Sequence, residues 1–222
     1  KANFSDSTVK LLYLPNENNQ LTYTHFYSKD FYQLDLISSI ENIVSSSNQY
    51  DFGTSNHTLR WLHGFENNTN LVGTLVHSSY LPKNLFPEID SSNVIQFESQ
   101  IQYTSAQFEY KDNSKDEFDY YAGVQFNQYN INPGSLDPGS GNSIIPVDLS
   151  NEKSQEFSFF TNFNWNLSKR LSISSGIRLT HFSLLGPYDQ GLYDEDGFFE
   201  GTNTIASNES IATYTNPEPR LG

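Results

Sequence analysis

The feature that most constrains this chain is a pair of alternating runs within residues 154–184, joined by the polar turn 166–169. In both runs, every second position carries a large apolar side chain, except for Thr161 and Ser175. These positions are Phe157, Phe159, Phe163, Trp165, Leu171, Ile173, Ile177 and Leu179. A period of two is typical of a strand with one apolar face. Two such runs across a short polar turn predict an antiparallel hairpin.

The opposite face of this hairpin carries mainly serine, asparagine, glycine and threonine, with one arginine, Arg178. An apolar band with aromatic residues near the turn, backed by a polar face, suits a β-barrel strand that has lipid outside and water inside. The same alternation suits a soluble β-sandwich with one solvated face. The hairpin alone therefore leaves both architectures open.

Composition favours strands and excludes several classes of protein. Aromatic residues make up 15% of the chain, and the absence of cysteine excludes both a disulfide framework and a cysteine-based zinc site. Apolar residues make up only 36%, against roughly 45–50% in a typical soluble domain. No apolar run reaches the about 18 residues that a transmembrane helix needs. The net charge of −14 argues against a nucleic-acid partner.

Short and long connections alternate along the nine strands that the pattern predicts. The short turns span about 15–20, 66–70, 111–116 and 166–169, and the long loops about 37–53, 79–92, 132–151 and 185–207. This sorting is typical of an outer-membrane barrel and is not expected of Greek-key connections. We therefore predict an all-β fold: part of a large antiparallel transmembrane β-barrel, an up-and-down meander of about nine strands.

The predicted strand number also bears on domain organisation. Bacterial single-chain barrels use an even number of strands, and an open sheet edge in lipid is prohibitively costly. We therefore expect residues 1–222 to be an interior segment of a longer barrel. Within the fifth predicted strand, the phase of the apolar residues changes near Thr104 and Ser105, which predicts a β-bulge there.

Five short motifs occur in a fixed order along the chain. They are Val9-Lys10-Leu11-Leu12-Tyr13, Thr58-Leu59-Arg60-Trp61-Leu62-His63, Asn130-Ile131-Asn132-Pro133-Gly134, Ser175-Gly176-Ile177-Arg178-Leu179 and Glu218-Pro219-Arg220-Leu221. Together they resemble TonB-dependent outer-membrane receptors of the Bacteroidota type. Members of that family are 22-stranded barrels closed by an N-terminal plug domain, and they import iron chelates, cobalamin or glycans.

The resemblance implies a location in the bacterial outer membrane, with its lipid as one partner. It implies the TonB complex as a second partner, reached through an N-terminal region that lies outside residues 1–222 together with the plug domain and the terminal strands. A surface lipoprotein or a larger membrane complex is a further candidate partner. The short turns would then be periplasmic and the long loops extracellular.

The acidic segment 187–200 contains the most suggestive polar cluster. The candidate ligand-contacting residues in this extracellular loop are Tyr188, Asp189, Tyr193, Asp194, Glu195, Asp196, Phe198 and Phe199. Clustered carboxylates can hold Ca²⁺, but the Asp-Glu-Asp-Gly spacing does not match a calcium loop of the EF-hand type. We therefore expect no metal site, and a solvated acidic loop is the plain alternative to a ligand contact.

Polar positions of the strands supply a second candidate set. The residues expected to face the barrel lumen are Arg178, Asn162, Asn164, Asp119, Gln125 and Asn127. Arg178 is expected to pair there with a carboxylate such as Asp119. Among the five histidines, His25, His63 and His77 could be neighbours across strands, in structural or interfacial roles.

Enzymatic function is not expected. The sequence contains no nucleophile elbow, phosphate-binding loop or His-Glu-x-x-His motif. No cofactor is expected either. The function that we predict is active uptake of a scarce ligand through a plugged barrel energised by TonB. The alternatives are a soluble extracellular β-sandwich that binds glycans and a porin-like outer-membrane channel.

Overall fold

The computed structural model describes residues 1–34, 38–40, 43–45, 47–88, 93–140 and 144–222. Within these ranges the chain forms strands and no helix. The strands are β1 (Ala2–Asn16), β2 (Asn19–Leu34), β3 (Ser38–Ile40), β4 (Ile43–Ser45), β5 (Asn48–Gly64), β6 (Thr69–Pro87), β7 (Val94–Lys115), β8 (Phe118–Asp137), β9 (Val147–Asp148), β10 (Glu152–Ser168), β11 (Leu171–Leu185), β12 (Tyr188–Tyr193), β13 (Phe199–Ile205) and β14 (Ser210–Leu221).

Nine long strands form one antiparallel meander in the order β1-β2-β5-β6-β7-β8-β10-β11-β14. The short strand β9 pairs with the far end of β8, and β3–β4 and β12–β13 are small hairpins within two of the long connections. The predicted all-β meander is therefore confirmed. One large sheet, rather than two sheets packed face to face, is the architecture of the described residues, which contradicts the sandwich alternative.

The hairpin of β10 and β11 has the predicted register. Phe163 lies opposite Ser175 and Trp165 lies opposite Ile173, so the apolar positions of both strands share one face. In two of the short turns an asparagine or aspartate side chain accepts the backbone N–H two residues on, as Asn16 does from Asn18 at 3.1 Å. At the β7–β8 turn, Asp112 Oδ1 accepts the N–H of Ser114 at 2.9 Å. Hydrogen bonds from Ser114 lower the pKa of the Asp112 carboxyl.

The bulge predicted near Thr104 and Ser105 is wrong. Pairing of β7 with both neighbouring strands is continuous through these residues, and the register shifts of β7 against β8 lie nearer its ends. The apparent change of phase arises because Tyr103 lies on the polar face, where its hydroxyl donates to Asn127 Oδ1 at 2.9 Å. A tyrosine counts as apolar in the alternation of the sequence, although its hydroxyl can form a hydrogen bond on a polar face.

The two faces of the sheet differ sharply. One row of residues in register crosses seven strands: Leu11, Tyr23, Leu59, Leu75, Ala106, Phe126 and Phe157. Most of these side chains are open to the surroundings; Leu75 is 54% exposed and Phe157 is 51% exposed. An apolar face of this extent on a water-soluble sheet would drive association. It suits contact with hydrocarbon.

Few apolar side chains are buried, because a single sheet has no second layer to cover it. Among the described residues the buried apolar side chains are Val72, Ile95, Phe160 and Leu185. No helix in the described part of the chain has the length and apolar character to cross a membrane.

Candidate functional site on the polar face

The polar face of the sheet brings together all six residues that the sequence predicted for the lumen. Their rows follow from the strand register: Gln125 lies opposite Ser158, Asn127 opposite Glu156, and Asp119 opposite Asn164. In the next pair of strands, Arg178 lies opposite Phe160 and Asn162 opposite Gly176. Residues paired across antiparallel strands project to the same side of the sheet. The six predicted residues therefore share one face.

Asn127 is the centre of a hydrogen-bonded cluster on this face and is only 5% exposed. Its side-chain oxygen accepts bonds from the Tyr103 hydroxyl at 2.9 Å, the Ser105 hydroxyl at 2.8 Å and the Gln125 amide at 3.2 Å. Its amide nitrogen donates to Glu156 Oε1 at 3.2 Å. The cluster spans β7, β8 and β10, so it fixes side chains of three strands against one another.

Arg178 extends this cluster to β11. Its Nη2 donates to Gln125 Oε1 at 3.0 Å, to Ser158 Oγ at 2.9 Å and to Glu156 Oε1 at 3.2 Å. Its Nε donates to Thr180 Oγ1 at 3.3 Å. The guanidinium group therefore has neutral and charged acceptors on β8, β10 and β11. These hydrogen bonds fix its position on the polar face.

The expected pairing of Arg178 with Asp119 is wrong, since Glu156 supplies the carboxylate. The register explains the difference. Arg178 lies opposite Phe160, which lies opposite Gly123, and Asp119 is four positions away along β8. Four positions correspond to about 13 Å along a strand. Glu156 is likewise four positions from Phe160, but it lies in the direction in which the arginine side chain extends, past Ser158 and Thr180. Asp119 lies in the opposite direction along the sheet, so the guanidinium group does not reach it.

A glycine supports the position of Arg178 from beneath. A Cβ atom on Gly123 would lie 2.5 Å from Cζ of Phe160, so the phenyl ring rests directly on the glycine backbone. The guanidinium carbon of Arg178 lies 5.8 Å from the centre of that ring, within range of a cation–π contact. Glycine, phenylalanine and arginine thus form a stack on the polar face.

A cavity of about 170 Å³ lies beside this stack. Its lining residues are Gln107, Glu109, Tyr121, Phe160, Asn162, Ile177, Arg178 and Arg220. The lining offers guanidinium and amide donors, one carboxylate and two aromatic rings. Such a surface can contact a polar ligand or polar protein groups by hydrogen bonds and can screen negative charge.

The predicted acidic loop is a β-hairpin formed by β12 and β13. The backbone of Asp194 and Phe198 closes its turn, in which Gly197 adopts a φ of +84°. Asp194 Oδ1 accepts the backbone N–H of Asp196 at 3.0 Å and of Phe198 at 2.7 Å. Asp189 Oδ1 accepts the Thr204 hydroxyl at 2.7 Å. These two carboxylates therefore hold the hairpin together.

The aromatic residues of this hairpin are open to solvent. The exposed fractions are 50% for Tyr188, 66% for Tyr193, 70% for Phe198 and 61% for Phe199. Glu195 and Asp196 lie in the turn and are exposed as well. Among the described residues, no group of three or more histidine, aspartate or glutamate side chains is arranged to hold a metal ion.

Three histidines form a row on the apolar face, but they are not the three that the sequence suggested. His25 lies opposite His57, and His57 lies opposite His77. The rings of His25 and His57 stack with centroids 4.4 Å apart, and the Tyr23 hydroxyl lies 2.8 Å from His57 Nδ1. His63 is instead near the short turn, where its Nδ1 lies 3.0 Å from Asn19 Oδ1.

Sequence reasoning missed the partners that build the site. Glu156, Ser158 and Ser105 complete the cluster, and Ser158 is fully buried. Their positions share the parity of the predicted polar residues, so the alternation alone could have placed them on this face. Their mutual contacts depend on the register between strands, which the sequence does not display.

Comparison with known proteins identifies the fold. No protein-family model and no curated sequence matches the chain. Among solved structures, the chain is similar to one titled copper transporter OprC, with a TM-score of 0.68 and 11% sequence identity. The match covers 99% of this chain and 34% of that protein, so the chain spans about a third of its length. The nine-stranded meander therefore has the fold of an outer-membrane β-barrel wall.

Proposed function

We propose that this chain forms part of the barrel wall of an outer-membrane transport receptor that takes up a scarce ligand, such as an iron chelate, cobalamin or a glycan. The observation that carries the proposal is the separation of the two faces of one antiparallel meander. One face is an open apolar band, and the other is a hydrogen-bonded polar surface around Asn127 and Arg178. Lipid outside and a polar lumen inside require this separation.

The edges of the sheet support a larger barrel. Within the described residues, β1 pairs only with β2 and β14 pairs only with β11. In hydrocarbon, each backbone N–H or C=O group without a hydrogen-bond partner costs roughly several kcal/mol of free energy. Both edge strands therefore need further strands to pair with. The similarity to about a third of a longer transporter has the same implication. We infer that residues 1–222 are a barrel segment and that a plug domain and the terminal strands lie elsewhere in a longer chain.

In this proposal the short turns are periplasmic and the long loops are extracellular. The β12–β13 hairpin, with its exposed aromatic and acidic residues, makes an early contact with the ligand. The cluster around Arg178 lines the lumen. The partners are membrane lipid, the TonB complex through an N-terminal region, and a surface lipoprotein or larger complex. The five ordered motifs support a receptor of the Bacteroidota type.

Uptake by cells that carry the intact gene tests this function. We expect the product to be found in the outer-membrane fraction, to require detergent for extraction and to have an intact mass several times 25.3 kDa. Uptake of a labelled ferric chelate, cobalamin or oligosaccharide should stop when TonB is removed. A water-soluble product of 25.3 kDa would overturn the proposal, and uptake that persists without TonB would indicate a passive channel instead.

A further inference from the structure

Aromatic side chains form a row on the polar face of the sheet, on the side of Asn127 that leads to the long loops. Across β2, β5, β6, β7 and β8, this aromatic row comprises Tyr32, Tyr50, Phe52, Tyr80, Tyr103 and Tyr129. The register places these residues on the polar face. Tyr32 lies opposite Tyr50, and Tyr103 lies opposite Tyr129, which is two positions along β8 from Asn127.

The aromatic row runs at a nearly constant distance from the short turns. Tyr80 lies eleven residues from Thr69, where β6 begins, and Tyr129 lies at the same distance from the start of β8. Phe52 lies twelve residues from Gly64, where β5 ends. The strands of a barrel are tilted and staggered, so equal distances from the turns correspond to one level around the wall. The row is therefore a belt across the polar side of the wall.

The rings of this row are ordered against one another. The centroids of Tyr50 and Phe52 lie 6.4 Å apart with an interplanar angle of 12°, and those of Phe52 and Tyr80 lie 6.5 Å apart with an angle of 6°. The rings of Tyr103 and Tyr129 lie 5.0 Å apart. Neighbouring strands are about 4.8 Å apart, so a row across five strands is roughly 20 Å long. The row is thus an extended aromatic surface.

Contact with lipid does not account for these rings. The aromatic girdles of membrane barrels lie on the outer, lipid-facing side. The aromatic row lies on the opposite side, where Tyr32 is 45% exposed and Tyr80 is 37% exposed. Exposed aromatic rings on a polar surface indicate contact with a ligand or with another part of the protein.

The polar neighbours of the aromatic row are neutral or acidic. Asp30 lies opposite Phe52, and Asn84 lies opposite Tyr50. On this face of the five strands, none of the described residues within two positions of the row is lysine or arginine. An anionic chelate would therefore meet carboxylate and no counter-charge at this level. The hydroxyl groups of a neutral ligand would meet hydrogen-bond acceptors.

We propose that the aromatic row binds a neutral oligosaccharide on its way into the barrel. The C–H faces of successive sugar rings pack on the rings of Phe52, Tyr80 and their neighbours. The sugar hydroxyls donate to Asp30 and to Asn84. An extended row suits a chain of several sugar units, and the absence of nearby cations disfavours acidic sugars and anionic chelates. This inference rests on the proposed transport function, and it selects a glycan among the ligands named there.

Calorimetric titration of the full-length protein in detergent tests the site. The probes are maltohexaose, cellohexaose and the uronic acid counterpart of cellohexaose, with ferric citrate and cyanocobalamin as ligands of the other two classes. We expect at least one neutral hexamer to bind. We expect the uronate hexamer to bind about tenfold more weakly than cellohexaose, because its carboxylates face Asp30 without a cation.

A pair of double variants separates the aromatic row from other aromatic surface. Phe52→Leu with Tyr80→Leu keeps apolar bulk but removes two rings of the row. Binding of the neutral hexamer should weaken about tenfold, since a ring contact contributes about as much as an aromatic pair. Tyr27→Leu with Phe31→Leu removes two rings from the other face of β2 and should leave binding unchanged.

A charge variant gives a second readout that does not depend on the rings. Asp30→Asn with Asp6→Asn removes two carboxylates from the polar face, where Asp6 lies opposite Ser28 and Phe52 lies opposite Asp30. Discrimination against the uronate hexamer should fall in this variant. Asp51→Asn changes the charge on the other face of β5 and should preserve the discrimination. Equal discrimination in both variants would contradict a ligand site beside Asp30.

Two further results would overturn the sugar site. One is unchanged affinity of the neutral hexamer in the Phe52 and Tyr80 variant; if thermal stability fell at the same time, the rings would pack on another part of the protein. The other is binding of ferric citrate or cyanocobalamin with no binding of either neutral hexamer, which would leave the proposed transport function intact. A water-soluble product of 25.3 kDa would instead overturn the proposed function.

Discussion

Arg178 Nη2 and Glu156 Oε1 lie 3.2 Å apart on the polar face, and their side chains are 25% and 24% exposed. The same glutamate oxygen accepts hydrogen bonds from Asn127 Nδ2 and from Ser158 Oγ, each at 3.2 Å. One carboxylate oxygen therefore satisfies donors from three residues on three strands. This ion pair is a structural link in the wall as well as a charged feature of the proposed lumen.

Replacing Glu156 with alanine should destabilise the barrel by about 1–3 kcal/mol, because it leaves three donors without their acceptor and Arg178 without its counter-charge. The measurement is the denaturant midpoint of the full-length protein in detergent, followed by tryptophan fluorescence. Glu218→Ala is the control, since the Glu218–Arg220 pair is longer, at 3.8 Å, and more exposed. We expect the control to change stability by less than about 1 kcal/mol. Equal losses in the two variants would contradict a special role for Glu156.

Gly123→Ala should also destabilise the wall, by about 1–3 kcal/mol, because the added methyl group collides with the ring of Phe160 and with the carbonyl oxygen of Phe108. Gly201→Ala is the matched control, since a Cβ at that position meets no atom within 4 Å. Thermal unfolding of both variants gives the comparison. If the stack is correct, Gly123→Ala and Phe160→Ala combined cost less than the sum of the single changes. Additive costs would show that the ring and the glycine do not interact.

The two faces of β10 and β11 predict opposite tolerance to a new cation. Ile177→Arg places a charge on the apolar face, where burial at mid-bilayer costs about 2–4 kcal/mol. Asn162→Arg places the same group on the polar face, where water and the carboxylate of Glu109 are available. Assembly is measured as the fraction of heat-modifiable barrel in the outer membrane. We expect Ile177→Arg to assemble poorly and Asn162→Arg to assemble normally. Equal assembly of the two variants would contradict the assignment of one face to lipid and the other to the lumen.

The strands were predictable where one face is apolar and the other polar, as in β10 and β11. They were less predictable near the long loops, where both faces are polar. Strand β5 begins at Asn48, although the alternation becomes visible only near Asn56. The alternation of apolar and polar residues disappears in a strand whose two faces contact similar surroundings. Backbone pairing with neighbouring strands extends these ends beyond the region that the apolar pattern defines.

The contacts of the candidate site were not predictable from the alternation. The pattern placed Arg178 and Gln125 on one face, but the choice of Glu156 over Asp119 depends on the offset between strands. A shift of two residues would preserve every face and change every partner. The same reason explains the histidine row, in which His57 rather than His63 lies between His25 and His77.

The exposed tip of the β12–β13 hairpin should contribute to ligand affinity without contributing to assembly. Phe198→Ser combined with Phe199→Ser removes aromatic surface that is 70% and 61% exposed, so the fold loses little packing. Uptake of the labelled ligands at limiting concentration should fall, while the amount of assembled barrel stays constant. Phe159→Ser, on the apolar face of β10, is the control that should impair assembly. Unchanged uptake in the hairpin variant would remove this hairpin from the ligand path.

Substitutions of Asp194 test whether the β12–β13 hairpin must be ordered for ligand uptake. Its Oδ1 accepts two backbone N–H groups, so Asp194→Ala should loosen the turn by about 1–2 kcal/mol and open it to proteases. Asp194→Asn keeps an acceptor oxygen at that position and should resist cleavage like the parent protein. The neighbouring Glu195→Ala removes a charge from the turn and should also leave it resistant. Limited proteolysis of intact cells, read as cleavage between residues 188 and 205, measures the opening. If Asp194→Ala is cleaved faster and also transports less, while Glu195→Ala does neither, the geometry of the turn rather than its charge supports ligand capture.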